Sequence, residues 1–374
     1  MNTIIVNGTC YDITSFKHPG GSVIKYYTQG ADASEAFREF HRRSKKANKV
    51  LKALPLASTI PTSISPDNEL SRIRKDLEQR GFFKPDYVHV MYRLLELFSI
   101  FVMGQYMLRF SYLVHVLIIS LFSVRCGWFQ HECGHNSMTG NIWLDKRLQS
   151  ASMGLGLVTS ASKWNQMHNK HHATPQKIGH DIDLDTTPLV AFFEDALHSN
   201  RPRPYSKTWL KYQAWTFVPL TSGVFVMAFW VLVLHPMYCL KNRKYEDAFW
   251  MIMGHALLKI PFASLSIAGM ILFFHFALSH THTPVTQKNE QKSWRQYAFE
   301  HTVDIATNNW FVTWFMGYLN CQVVHHLFPS MPQFRQPIVS KELKKRAEYQ
   351  HLTYFQAVYR TFQNLHTVGQ KLKY

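Results

Sequence analysis

The 374-residue chain is poor in cysteine, in acidic residues and in apolar sequence at its start, and each shortage excludes something. Its five cysteines (Cys10, Cys126, Cys133, Cys239 and Cys321) are scattered without a C-x-x-C pair. No disulfide framework is therefore expected, and the thiols should be reduced and face the cytosol. Asp and Glu number 24 against 41 Lys and Arg, a net charge of +17 with a pI near 9.6. The opening stretch MNTIIVNGTCYD is polar and lacks the apolar core of a cleavable signal peptide, so insertion into a membrane has to rely on an internal segment. No internal repeat is evident.

Histidine, by contrast, is plentiful and grouped. His131 and His135 lie in HECGH, His168, His171 and His172 in HNKHH, and Gln322, His325 and His326 in QVVHH. On a helix, positions i, i+3 and i+4 share one face, so each cluster aims its imidazoles in a single direction. Together they read as a metal site for oxidative chemistry, large enough for more than one ion. Crowded neutral imidazole suits iron, copper, nickel or zinc, and iron becomes the favourite only beside an electron source.

Such a source stands at the start of the chain. YDITSFKHPGG, then DASEAF, then His41 closely resembles the cytochrome b5 family. The resemblance implies a haem b clamped by His18 and His41, with Phe16, Val23, Ile24, Phe37 and Phe40 walling its pocket. Two axial imidazoles leave no open iron position, so such a haem passes electrons. The N-terminus is short for this family, leaving little chain for a first strand, and the domain is expected to lean on the rest of the protein. A basic run, Arg42, Arg43, Lys45, Lys46 and Lys49, follows where the family is usually acidic. A nucleic-acid patch would have that composition too, but the apolar spans downstream favour an anionic membrane surface, and no nucleic-acid partner is expected.

The expected organisation is a haem domain over 1–54, a Pro/Ser/Thr-rich linker over 55–68 and a membrane domain over 69–374. Mean hydropathy is only −0.17, but the polar ends and histidine-rich loops dilute the spans. Residues 214–234 are uncharged over the ~20 positions that a spanning helix needs, and 260–278 nearly match them. Residues 94–108 and 112–124, separated by Arg109, read as a tight hairpin. Four crossings as two hairpins keep all three clusters on the face that holds the haem domain. The fold expected is mainly α: polytopic helices under a cytosolic di-metal cap, preceded by a small α+β haem domain. Most Lys and Arg fall in segments placed on the cytosolic side, but Lys241, Arg243 and Lys244 fall in a turn that this topology puts on the far side. The apolar stretch 151–159 is too short to span and should dip into the interface. Leu70, Ile73 and Leu77 mark one amphipathic helix lying on membrane or protein, and Phe355, Val358, Phe362 and Leu365 mark another, packed on the core.

HPGG, HECGH, WNQMHNKHH with HDID at 180–183, and NCQVVHHLFP at 320–329 together resemble the front-end fatty acid desaturases that carry an N-terminal cytochrome b5-like domain. The resemblance covers nearly the whole chain, and glutamine at the head of the third cluster is its front-end hallmark. It implies two irons, dioxygen as co-substrate and a long polyunsaturated acyl chain, desaturated between an existing double bond and the carboxyl end. It also implies His131, His135, His168, His171, His172, His325 and His326 as ligands. An eighth ligand comes from His280 or His282, and the family pattern favours His282. Gln322 is expected to bond a water or a substrate group, and Asp181 and Asp183 to orient imidazoles. The expected partners are a membrane lipid or acyl-CoA substrate and an NADH-cytochrome b5 reductase-type donor, at the endoplasmic reticulum membrane, with haem domain and clusters facing the cytosol.

The chemistry agrees. An unactivated methylene has no acidic proton for a general base, so removing its hydrogens takes an oxidant that the protein only sites and shields. Dioxygen that takes two electrons from substrate needs two more. Regiochemistry (delta-4, -5, -6 or -8), chain length and acyl carrier stay open. A hydroxylase or sphingoid-base desaturase could use the same irons. HECGH also satisfies the H-E-x-x-H pattern of a zinc protease with Glu132 as general base, but a catalytic zinc needs three protein ligands and a water, leaving two further clusters and a haem domain unexplained.

Overall fold

In the computed structural model, residues 2–28, 32–57, 68–184, 186–197 and 206–371 are described; most of the expected linker, 58–67, lies outside them. The short N-terminus still builds a strand pair. Asn7 and Gly8 sit at positive φ, 51° and 76°, as a two-residue turn between right-twisted strands requires. They join β1 (Thr3–Val6) to β2 (Thr9–Asp12), antiparallel from Thr3↔Asp12 to Val6↔Thr9. A 3-10 run at Gly21–Tyr27 and helices α1 (Ser34–His41) and α2 (Lys45–Lys52) close over Ile4, Val6, Ile13, Tyr27 and Leu51. That small core is completed by Ala173 and Trp294 from far along the chain.

The next helix, α3 (Asn68–Gln79), buries Leu70 and Leu77 against Val323, Phe328 and their neighbours, so it lies on protein. Helix α4 (Tyr87–Met107), capped by Asp86, and α5 (Tyr112–Gly134), capped by Ser111, form the hairpin on either side of Arg109. Helix α5 continues ten residues past the expected 124, which carries His131 to its last turn. The stretch 151–159 is mostly the second half of α6 (Ile142–Leu157), which leads into α7 (Ala161–Ala173).

Helix α8 (Gln213–Asn242) is joined through α9 (Tyr245–Ala256) to α10 (Phe262–His280). Helices α4, α5, α8 and α10 are the four described helices long and apolar enough to cross a bilayer. Over Phe217–Val226 and Trp230–Leu234, α8 widens into π turns, and Pro219 in the first of these has no N–H to close an α turn. Small residues let helices approach: a Cβ on Gly254 of α9 would fall on the Gly154 carbonyl of α6. In α9, which follows the turn with Lys241, Arg243 and Lys244, Asp247 accepts from Ser160 Oγ at 2.6 Å and from Ser162 N at 2.9 Å at the start of α7.

Helices α11 (Trp294–His301), α12 (Trp310–Phe315), α13 (Gln322–Leu327), α14 (Gln336–Leu343) and α15 (Tyr354–Gln370) complete the cap. A parallel pair, β3 (Asp304–Ile305) with β4 (His351–Leu352), ties its two halves. Helix α15 buries Leu365 but leaves Phe355 exposed, so only part of its apolar face packs on the core.

Candidate metal centre

The three clusters converge. The end of α5 supplies His131 and His135, α7 supplies His168, His171 and His172, and α13 supplies His325 and His326. Helix α13 is only six residues long and is held in place by Asp304, whose Oδ1 accepts from Val323 N at 2.7 Å. One group of ligand atoms comprises His131, His135, His168, His172 and His325, and a second comprises His171, His280 and His326.

Ring nitrogens face one another in pairs: His135 and His168 Nε2 at 3.0 Å, His172 and His325 Nε2 at 3.0 Å, His171 and His326 Nε2 at 3.3 Å. Two nitrogens about 2.1 Å from one ion and at right angles lie about 3.0 Å apart, so the spacing fits shared metals. Burial, reinforced by neighbouring imidazoles, holds His168, His172, His325 and His326 well below the ordinary histidine pKa, so they are neutral, as ligands must be.

Of the two candidates for an eighth ligand, His280, and not the His282 that the family pattern favours, lies with the second group. His282 lies beyond the end of α10 and turns back so that its Nε2 is 2.9 Å from the Leu278 carbonyl, away from the other rings. His280, the last residue of α10, faces the second group. Its Nδ1 lies 3.1 Å from the His301 carbonyl, while Nε2 is buried and has no partner.

Asp181 Oδ2 lies 2.9 Å from His171 Nδ1, and Asp183 Oδ2 lies 3.4 Å from it. Burial alone would lower the pKa of His171, but Asp181 and Asp183 raise it overall. Gln333, which the sequence did not single out, meets His131 Nδ1 at 2.7 Å, and turning its amide would let Oε1 accept the imidazole N–H. Glu132 points elsewhere: it pairs with Arg93 at 3.3 Å and accepts from Gln333 N at 3.0 Å. A protease base would have to face a metal-bound water, and Glu132 does not.

Gln322 is buried with Oε1 unpartnered, and it lines a cavity of about 560 Å³ together with His131, His168, His171 and His326. From that histidine end the cavity runs between α5, α8 and α10 along apolar walls such as Leu157, Met227, Trp230 and Leu272. It has the shape and lining of a hydrocarbon site.

At the N-terminal domain the His18 and His41 ring centroids are 6.0 Å apart and His18 Nδ1 is unpartnered. Two bonds of about 2 Å from ring nitrogen to metal fit that gap. Burial lowers both pKa values, that of His41 to about 4 with help from His18. Phe16 and Phe37 edge the two rings as expected, and Val23 and Ile24 are partly buried. Phe40 is different. It stands edge-on to Trp294 at 6.0 Å and belongs to the junction between the domains.

The same junction includes Tyr27, whose hydroxyl donates to the Ala173 carbonyl at 2.6 Å, and Tyr26, stacked on His180 at 4.1 Å. Arg42 bonds Ser330 and Glu78, and Arg43 donates to the Phe83 carbonyl, which leaves Lys45, Lys46 and Lys49 of the basic run exposed. The histidine pair is thereby fixed against the elements that carry the second and third clusters.

Residues 110–358 match the fatty acid desaturase family, and residues 3–59 match the cytochrome b5-like haem/steroid binding domain. The chain is 38% identical to an acyl-lipid (8-3)-desaturase of Thraustochytrium sp over 99% of its length and 93% of the relative's. It is 38% identical to another acyl-lipid (8-3)-desaturase, of Rebecca salina, over 98% and 91%. To a delta(8)-fatty-acid desaturase of Euglena gracilis it is 24% identical over 92% and 88%.

Proposed function

The chain belongs to the fatty acid desaturase family and carries a fused cytochrome b5-like domain, and from that premise we propose that it is a front-end acyl-lipid desaturase of the (8-3) type named for its relatives. It is a membrane oxidoreductase acting on lipid. The observation that carries the finer reading is two groups of buried imidazoles opening on the end of one apolar cavity.

Eight ligands are assigned: His131, His135, His168, His172 and His325 to one iron region, and His171, His280 and His326 to the other. When bound, two irons supply the power to oxidise adjacent methylenes with dioxygen, and a haem between His18 and His41 relays the two electrons that the substrate does not provide. Asp181 holds His171 by its Nδ1–H, His301 holds His280, and Gln333 holds His131, so that each presents Nε2 inward. The cavity wall excludes water and lays the acyl chain past the histidines. Gln322, with its free Oε1, faces the reacting segment. An NADH-cytochrome b5 reductase-type donor would reduce the haem. Residence in the endoplasmic reticulum with the clusters toward the cytosol is supported by the basic segments gathered around the cap.

Expression in yeast fed defined polyunsaturated acids, with double-bond positions read by mass spectrometry, tests this reading. One new double bond on the carboxyl side of an existing one is the expected product. A hydroxylated acid, or no new double bond with haem and metals bound, would overturn it.

A further inference from the structure

Serine and threonine inside helices usually return their hydroxyl to the carbonyl one turn back. This chain does so repeatedly: Ser120 bonds Val116 at 2.7 Å, Ser152 bonds Leu148 at 2.8 Å and Thr281 bonds Ala277 at 2.9 Å. Thr221 and Ser222 do not. Both lie in the π-helical run of α8, where the carbonyl one turn back is displaced, and both hydroxyls are buried without a partner. Ser123 and Ser279 are also unpartnered but do not line the cavity; Thr221 and Ser222 do, as does the unpartnered Thr159 between α6 and α7, so that Thr221 and Ser222 are the adjacent pair on α8.

Their depth can be read from α10. A Cβ on Gly269 would lie 2.8 Å from the Ser222 carbonyl, so Ser222 is level with Gly269. Gly269 is about 16 Å from His280 along the helix, at 1.5 Å per residue. An extended chain advances about 1.2 Å per bond, so the hydroxyl pair stands about a dozen bonds from carbons held at the histidines. The α10 wall between is apolar, with Leu272, Phe273 and Phe276 lining the cavity.

A buried hydroxyl without an acceptor is costly, and a saturated segment offers it none. A cis double bond offers its π face, a weak acceptor. We propose that Thr221 and Ser222 form a subsite that recognises unsaturation in the acyl chain, selecting substrates with a double bond toward the methyl end, about a dozen bonds beyond the reacting carbons. This rests on the reading above that the cavity holds the acyl chain with its reacting carbons at the histidine end.

The test is competition between two polyunsaturated acids of equal length that differ only in the double bond nearest the methyl end, fed together to yeast expressing the full chain. Wild type should favour the acid that has it. Thr221→Val and Ser222→Ala should each shrink that preference about two- to fivefold while desaturation of the other acid persists. Thr221→Ser, which keeps the hydroxyl, should retain the preference, as should Ser123→Ala outside the cavity. An unchanged ratio in both hydroxyl-deleting variants, or an equal fall for both acids, overturns the subsite while leaving the desaturase reading intact. Wild type that converts neither acid overturns the substrate reading and the subsite with it.

Discussion

A single residue, Thr281, lies between His280 and His282, yet the end of α10 separates their fates. The helical residue is held on its register toward the second group, while the residue beyond the cap folds back on the Leu278 carbonyl. Replacing His280 by alanine should therefore remove about one of two metals per chain, while His282→Ala retains both, as metal analysis of the purified protein would report. Asp304 behaves differently because it is no ligand. Burial pushes its pKa up to about 6, although Tyr349, Ser340 and Val323 N–H pull the other way. A carboxyl raised from 3.8 stabilises the fold most when protonated, so its contribution is present below the unfolded value and is lost as pH rises through about 6. Thermal melts across pH 4 to 6 should fall for the native chain, and Asp304→Asn should flatten that part of the profile.

Among the elements, α1 and α3 are joined by charge as well as by apolar contact. Arg74 of α3 pairs with Glu35 and Glu39 of α1, and Glu39 in turn accepts from Ser330 Oγ at 2.6 Å. Arg74 and Glu39 are both buried. Removing the arginine would leave the buried Glu39 carboxylate with only the more distant Arg42, 4.0 Å away, at the seam between the haem domain and the third-cluster loop. Arg74→Ala is therefore expected to cost about 3–5 kcal/mol and to melt the N-terminal domain first, followed by hydrogen exchange at residues 21–27 and 34–41. Elements that sequence periodicity marked well were the long ones. The apolar stretch 151–159 was harder, because a segment too short to span looks interfacial, whereas Gly154 and Gly254 let α6 and α9 pack with backbones almost touching. Spacing along the chain carries no information about such a partner.

For the whole molecule, function depends on one arrangement: spans below, histidines at their upper ends, and the haem domain seated beside them. The four apolar helices and the histidine clusters were legible because hydropathy and i, i+3, i+4 spacing are local properties. Tertiary partners were not legible in the same way, since helix length and hydropathy do not say that Asp247 will find Ser160 and Ser162. The domain junction was equally invisible. Phe40, expected in a haem pocket, packs on Trp294, more than 250 residues away in the chain. A His18→Ala chain should lose the Soret band yet keep its metals, because the two sites share no ligand.

The sequence by itself determined the chemistry available: seven clustered imidazoles for metal, two more for haem, apolar spans for a membrane and glutamine at the head of the third cluster. Those follow from residue type and short-range period, which the chain carries without folding. Only the tertiary structure decided that His280 lies with the second group, that His301 and Gln333 meet the outer nitrogens of His280 and His131, and that the cavity passes two unpartnered hydroxyls on α8. Each of those depends on groups far apart in the chain meeting in a buried place, where a missing partner is costly and geometry therefore selects.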